Sequence, residues 1–157
     1  MNKLTLTRAA IATLFAMGGG TFAYAAAPAI VSAIKARQAN FKEIGGAFKT
    51  VNDEIKSGAP DFASVRPAAR EVAVRAAGQA KYFVKGSGPQ SGEKTRALPA
   101  IWTDAAGFAQ VNANFVRAAR ALDAAAQKGD VAALTAARTA LGGTCKACHD
   151  KFRARED

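Results

Sequence analysis

Seven apolar side chains, Ile30, Ile34, Phe41, Ile44, Phe48, Val51 and Ile55, recur at helical spacing between Pro28 and Ser57. Steps of three and four residues line them up on one face of a helix, and no segment of the chain shows the period-two alternation of a half-buried strand. Position 37, which falls on the same stripe, is Arg. Gly58 and Pro60 end this first helix, and Asp61 caps a second one expected to run to about Lys85, with a kink or restart at Pro67. "GSGPQSGEKTRALP", residues 86–99, is a long loop whose glycines and prolines oppose regular structure. A third helix is expected from Pro99 to Lys128, with Ile101, Ala105, Phe108, Phe115 and Leu122 on one face. "KGD" at 128–130 then supplies a stop, a glycine terminus and a new cap. The last helix, Asp130 to about Arg155, sets Val131, Leu134, Leu141, Cys145, Cys148 and Phe152 on its seam. Short connections on either side of one longer crossover make this an all-α chain, an antiparallel four-helix bundle. Its many seam alanines let helices approach closely but bury little area each, so a further buried body would help to fill the core.

The first 25 residues read differently. Lys3 and Arg8 precede the apolar run "AAIATLFAM", which leads into small residues around "FAYAAAP", the order of a secretory signal peptide with cleavage near Ala25. That run is shorter than the ~20 apolar residues of a spanning helix, so stable membrane insertion is not expected, a retained anchor being the alternative. Residues 26–157 then form one domain. Losing Lys3 and Arg8 takes the formal charge from +10 to +8, still basic enough to steer an acidic partner. Export and the lack of a basic segment interleaved with aromatics speak against nucleic acid.

Both cysteines and the single histidine lie in "TCKACHDKFR", residues 144–153. "CKACH" fits the C-x-x-C-H pattern of covalent c-type haem attachment. With Cys145 taken as zero on a helix, Cys148 falls near about −60° and His149 near about +40°, one arc of roughly 100°. Two thiols can therefore reach the two vinyl groups of one porphyrin while the imidazole addresses its iron. A redox dithiol would ordinarily follow a strand, a disulfide would close a trivial loop, and zinc would ask for a fourth ligand.

Low-spin electron carriers close the sixth iron position with a second His or a Met. Here the only methionines, Met1 and Met17, lie in the signal segment. Lys42 is a conceivable substitute, but five-coordinate iron is the simpler outcome, with Phe41 the large apolar residue central to the first stripe. Arg37 has two readings: its fork suits a haem propionate, or it snorkels or pairs with a carboxylate within the bundle. Arg153, one turn beyond His149, is expected to pass the proximal side, and Arg96 in the crossover is a candidate for the haem edge.

With "RQANF" at 37–41, "IWTDAAGF" at 101–108 and "CKACHDKFR" at 145–153, the chain resembles the class II cytochromes c, specifically the cytochromes c′. The resemblance implies one covalent haem c on Cys145 and Cys148, His149 as the axial ligand, and Phe41 over the open iron face. It further implies that Arg37 and Gln38 contact propionates, that Arg153 flanks the proximal pocket, and that the protein forms a homodimer through its first two helices. Low-spin relatives carry Met where this chain has Phe41.

Two functions compete. The first is a periplasmic haem protein that binds nitric oxide or carbon monoxide at five-coordinate iron and buffers nitric oxide. The second is an electron carrier between periplasmic redox partners, for which the missing sixth ligand is a handicap. Peroxidase catalysis lacks a distal His for acid–base work, so no enzyme is expected.

Overall fold

The computed structural model describes residues 26–155. The expected signal peptide therefore lies outside the described residues. Five α-helices follow one another: α1 Pro28–Lys56, α2 Phe62–Gly78, the single-turn α3 Ala100–Thr103, α4 Ala105–Lys128 and α5 Val131–Phe152. The four long ones form the antiparallel bundle. α1 lies on α2, α2 on α4 and α4 on α5, while the seam between α1 and α5 is the loosest of the four.

Helix ends follow local chemistry. Pro28 opens α1, where its missing N–H is no loss. Asp61 accepts from Ala63 N at 2.9 Å and from Ser64 Oγ, capping α2. The turn between α4 and α5 is the one expected: Gly129 at φ 72° closes α4, and the Asp130 carboxylate accepts from Ala133 N at 2.9 Å.

Four boundaries differ from the sequence expectation. Pro67 does not interrupt α2, because the carbonyl it would have bonded, on Ala63, is exposed and water can take it. α2 stops at Gly78 instead of Lys85, and the chain tightens into a 3₁₀ turn at Gln79–Tyr82. The expected third helix divides at Asp104 (φ −117°, ψ 61°), whose carboxylate accepts from Gly107 N at 3.0 Å and from Lys151 Nζ. That break turns Ala105 outward, off the expected stripe, while Ile101 and Phe115 stay buried. α5 ends at Phe152, since Arg153 turns extended and pairs with Ala97 in an isolated antiparallel bridge. The crossover is thus not irregular throughout: it holds a 3₁₀ turn at Pro89–Ser91 and this bridge.

One hydrophobic cluster occupies the bundle centre, with Ile44, Val51, Val65, Val72, Phe115, Leu122, Leu134 and Leu141 buried. A smaller one gathers Ala97, Ile101 and Phe152 with Phe83, Trp102 and Phe108 at the crossover end. Val131, expected on the last seam, is 45 % exposed because it is the first residue after the cap. Leu122→Ala, at a site with no solvent exposure, should lower unfolding free energy by about 2–5 kcal/mol. Val131→Ala should stay within about 0.5 kcal/mol of the parent in the same chemical denaturation series.

Candidate haem site

α5 carries Cys145 and Cys148 as free, half-buried thiols, followed by His149, which is exposed. Their surroundings are complementary. Cys145 packs against the central cluster, as Phe41 does from α1, whereas Cys148 packs against the smaller crossover cluster. The two sulfurs therefore stand at the junction of both apolar clusters, on the helix that borders the loosest seam of the bundle.

Burial pushes the Cys145 thiol up, and burial together with its neighbour Cys145 pushes Cys148 from 9.0 to about 11. Such thiols stay protonated at neutral pH, unlike the lowered-pKa thiolates of redox or zinc sites. Among the described residues no group of three or more His, Cys, Asp or Glu converges to hold a bare metal ion. His149 is shifted the other way: partial burial and then the Arg96 charge lower its pKa, against an opposing effect of Asp150. The imidazole is therefore neutral at pH 7, with a lone pair to offer iron. Arg153 lies beside it, with Nη1 3.4 Å from His149 Nδ1.

Arg37 is 4 % exposed, a position where a cation needs partners. Nη1 donates to Tyr82 O at 3.2 Å and Ser87 Oγ at 2.9 Å, and Nη2 to Ser87 O at 2.8 Å and Thr95 Oγ1 at 2.9 Å. The carbon of the guanidinium also sits 5.0 Å from the centre of the Phe83 ring. Exposed Gln38 donates from Nε2 to Lys94 O at 2.8 Å. All five of these bonds go to neutral oxygens of residues 82–95. The alternative of a carboxylate partner for Arg37 does not describe them.

The far end of the crossover is fastened to α5. Leu98 N donates to Phe152 O at 3.0 Å and Ala154 N to Arg96 O at 2.8 Å. This brings Arg96, itself exposed, beside the motif. Phe41 is half-buried, and its ring meets Phe83 edge-on at 6.2 Å. Phe83 meets Phe108 at 4.7 Å, and Phe108 meets Phe152 at 5.4 Å. This aromatic chain from α1 to the end of α5 was not foreseen, because Phe83 falls where a helix tail was expected; the adjacent "YF" before the loop was the available signal. Lys42, the conceivable sixth ligand, is exposed.

The family model described as "Cytochrome C'" matches residues 32–153. The chain belongs to the cytochrome c′ family. Cytochrome c′ of Rubrivivax gelatinosus is 40 % identical over 122 residues, 77 % of this chain and 93 % of that one. Cytochrome c′ of Alcaligenes xylosoxidans, solved as a ferrous variant with bound nitric oxide, superposes with a TM-score of 0.73 at 31 % identity, over 81 % of this chain and 97 % of that one. Another variant of that protein was solved with carbon monoxide bound. A further cytochrome c′, noted for ligand-controlled dimer dissociation, gives a TM-score of 0.75 at 27 % identity, over 83 % of this chain and all of that one.

Cytochromes c′ carry covalently attached haem c, and the donor set here fits it: two protonated thiols and one neutral imidazole on a single helix between two apolar clusters.

Two outcomes follow. Arg37→Leu leaves the Tyr82 carbonyl and the Ser87 oxygens short of a donor, so residues 83–95 should exchange amide hydrogens at least tenfold faster while the α4 core is unchanged. In the haem-free chain, folding favours the thiol forms, so their contribution to stability is intact below pH 9.0 and is lost as pH rises towards about 11. Alkylation of Cys148 should accordingly be slower than that of a free cysteine at pH 8 and converge with it only near pH 11.

Proposed function

We propose that this chain is exported to the periplasm as a single haem c domain, residues 26–157, that binds nitric oxide and carbon monoxide at five-coordinate iron and buffers nitric oxide. Cys145 and Cys148 take the haem by adding their S–H bonds across its two vinyl groups. Protonated thiols, as burial makes them here, are the form that this addition consumes. His149 is the axial ligand, its neutral ring supplying the lone pair. When bound, the haem supplies a ferrous iron that takes up a diatomic gas.

The observation that carries the reading is the packing of Phe41 on α1: it lies against the same central cluster as Cys145 and meets Phe83 edge-on. A phenyl ring offers iron no lone pair, and it admits small apolar molecules more readily than polar ones. Arg37 and Gln38 set the propionate side indirectly, by fixing the crossover that walls it. Arg153 flanks the proximal face next to His149 Nδ1, and Arg96 lies at the haem edge. The reading is of a binding protein.

A second copy of this chain is the expected partner. α1 bears a shallow groove lined by Val31, Ser32, Lys35, Ala36 and Ala39, a surface that a second copy could cover. No helix among the described residues is long and apolar enough to cross a membrane.

Absorption and resonance Raman spectra of the ferrous holoprotein test the central claim. The expected outcome is a five-coordinate high-spin spectrum that changes on adding carbon monoxide; a low-spin spectrum indifferent to the gas would favour an electron carrier. Phe41→Ala should speed carbon monoxide association on the order of tenfold or more, equivalent to about 1.4 kcal/mol of barrier. An unchanged rate would mean that another residue guards the iron.

A further inference from the structure

Four polar side chains are buried in the described core: Arg37, Asn40, Gln79 and Ser87. Arg37 and Ser87 satisfy one another, but Asn40 Nδ2 and Gln79 Oε1 have no hydrogen-bond partner among the described residues. Each of these two residues is 5 % exposed. One orphan is a donor and the other an acceptor, and each left dry costs the full desolvation of its group.

The two residues come to one level of the bundle, α1 packing against the 3₁₀ turn that carries Gln79. Arg37 on α1 reaches the Tyr82 carbonyl at 3.2 Å. In an antiparallel pair, three residues onward from Arg37 and three back from Tyr82 face one another, and those positions are Asn40 and Gln79. Arg75, one turn before Gln79, also extends toward Asn40, with Nη1 3.5 Å from Asn40 Oδ1. On its other side Gln79 donates from Nε2 to Asn112 Oδ1 of α4 at 2.7 Å. Gln79 precedes Phe83 by four residues and Asn112 follows Phe108 by four, so the amides form a layer about one turn below the Phe83–Phe108 contact.

We propose that Asn40, Gln79 and Asn112 build an internal water site between α1, the 3₁₀ turn that follows α2, and α4. The water accepts from Asn40 Nδ2 and donates to Gln79 Oε1, while Asn112 holds the Gln79 amide in place. Water is the ligand the chemistry selects, because it accepts and donates at once. A carboxylate would satisfy Asn40 but not the Gln79 oxygen, and a diatomic gas would satisfy neither. The bridge ties α1 to the turn that carries Phe83, which makes Gln79 a positioning residue for the distal wall; this second role rests on the gas-binding reading.

A high-resolution crystal structure of the ferric holoprotein tests the site without reference to gas binding. A water about 2.7–3.2 Å from both Asn40 Nδ2 and Gln79 Oε1 is expected. A direct Asn40–Gln79 hydrogen bond, or a propionate oxygen on Asn40, would overturn the proposal. In Gln79→Met the water should be absent and carbon monoxide association should change at least threefold, whereas Gln79→Glu should retain the water. Loss of the water with an unchanged association rate would remove the positioning role. Should the parent protein take up no carbon monoxide at all, the gas-binding reading fails while the crystal structure still decides the water site.

Discussion

A guanidinium taken out of water must find oxygen atoms for its N–H groups, and the oxygens Arg37 finds belong to the crossover between the two halves of the bundle. All four terminal N–H directions are used, on Tyr82, Ser87 and Thr95. Burial lowers the pKa of the group, yet an arginine starts so high that it remains a cation. Its charge is balanced by carbonyl and hydroxyl dipoles and by the face of Phe83. The crossover is consequently fixed near its start by α1 and at its end by the bridge to Arg153. Those fastenings seat Ala97 in the smaller cluster with Ile101 and Phe152, against which Cys148 packs.

The same fastening explains why the site is asymmetric. Cys145 leans on the central core of the bundle, while Cys148 leans on a smaller cluster to which the crossover contributes Ala97. Partial burial lowers the His149 pKa, the charge of Arg96 on the crossover lowers it further, and Asp150 opposes both. The crossover thus contributes packing to one thiol and charge to the imidazole. Arg153 adds to this: with its Nη1 near His149 Nδ1, the ring has a cationic neighbour in place of the carboxylate that would strengthen an axial histidine.

Much of this was legible in the sequence because it depends on local rules. The first stripe located α1, the "KGD" triplet located the α4–α5 turn, and the C-x-x-C-H spacing located the thiols and the imidazole. Features that depend on distant partners were not legible. Nothing near Asp104 announces that Lys151, far along the chain, would join Gly107 in making it a helix cap. Nothing near Phe152 announces that α5 stops there to pair with the crossover. Arg37 was visible as an anomaly on its stripe, but the sequence could not say which oxygens it meets. A lone cation on an apolar face has too many candidate partners, and the loop oxygens that win are in no recognisable motif.

The polar layer at Asn40, Gln79 and Asn112 bears on how an apolar distal face is built. A bundle rich in alanine buries little area per residue, and the amides occupy positions where larger apolar groups would add stability. Their presence makes physical sense if they fix relative position, since a hydrogen bond between the amide side chains of the 3₁₀ turn and α4 has one good register and apolar contacts tolerate several. Gln79 to Asn112 at 2.7 Å sets that register directly below the Phe83–Phe108 contact. Arg37 sets the register of α1 against the same turn from above. Phe83 is therefore constrained from both sides, and Phe41, which touches it, inherits the constraint. The Phe41–Phe83 pair is thus positioned by buried polar groups that never need to touch a ligand.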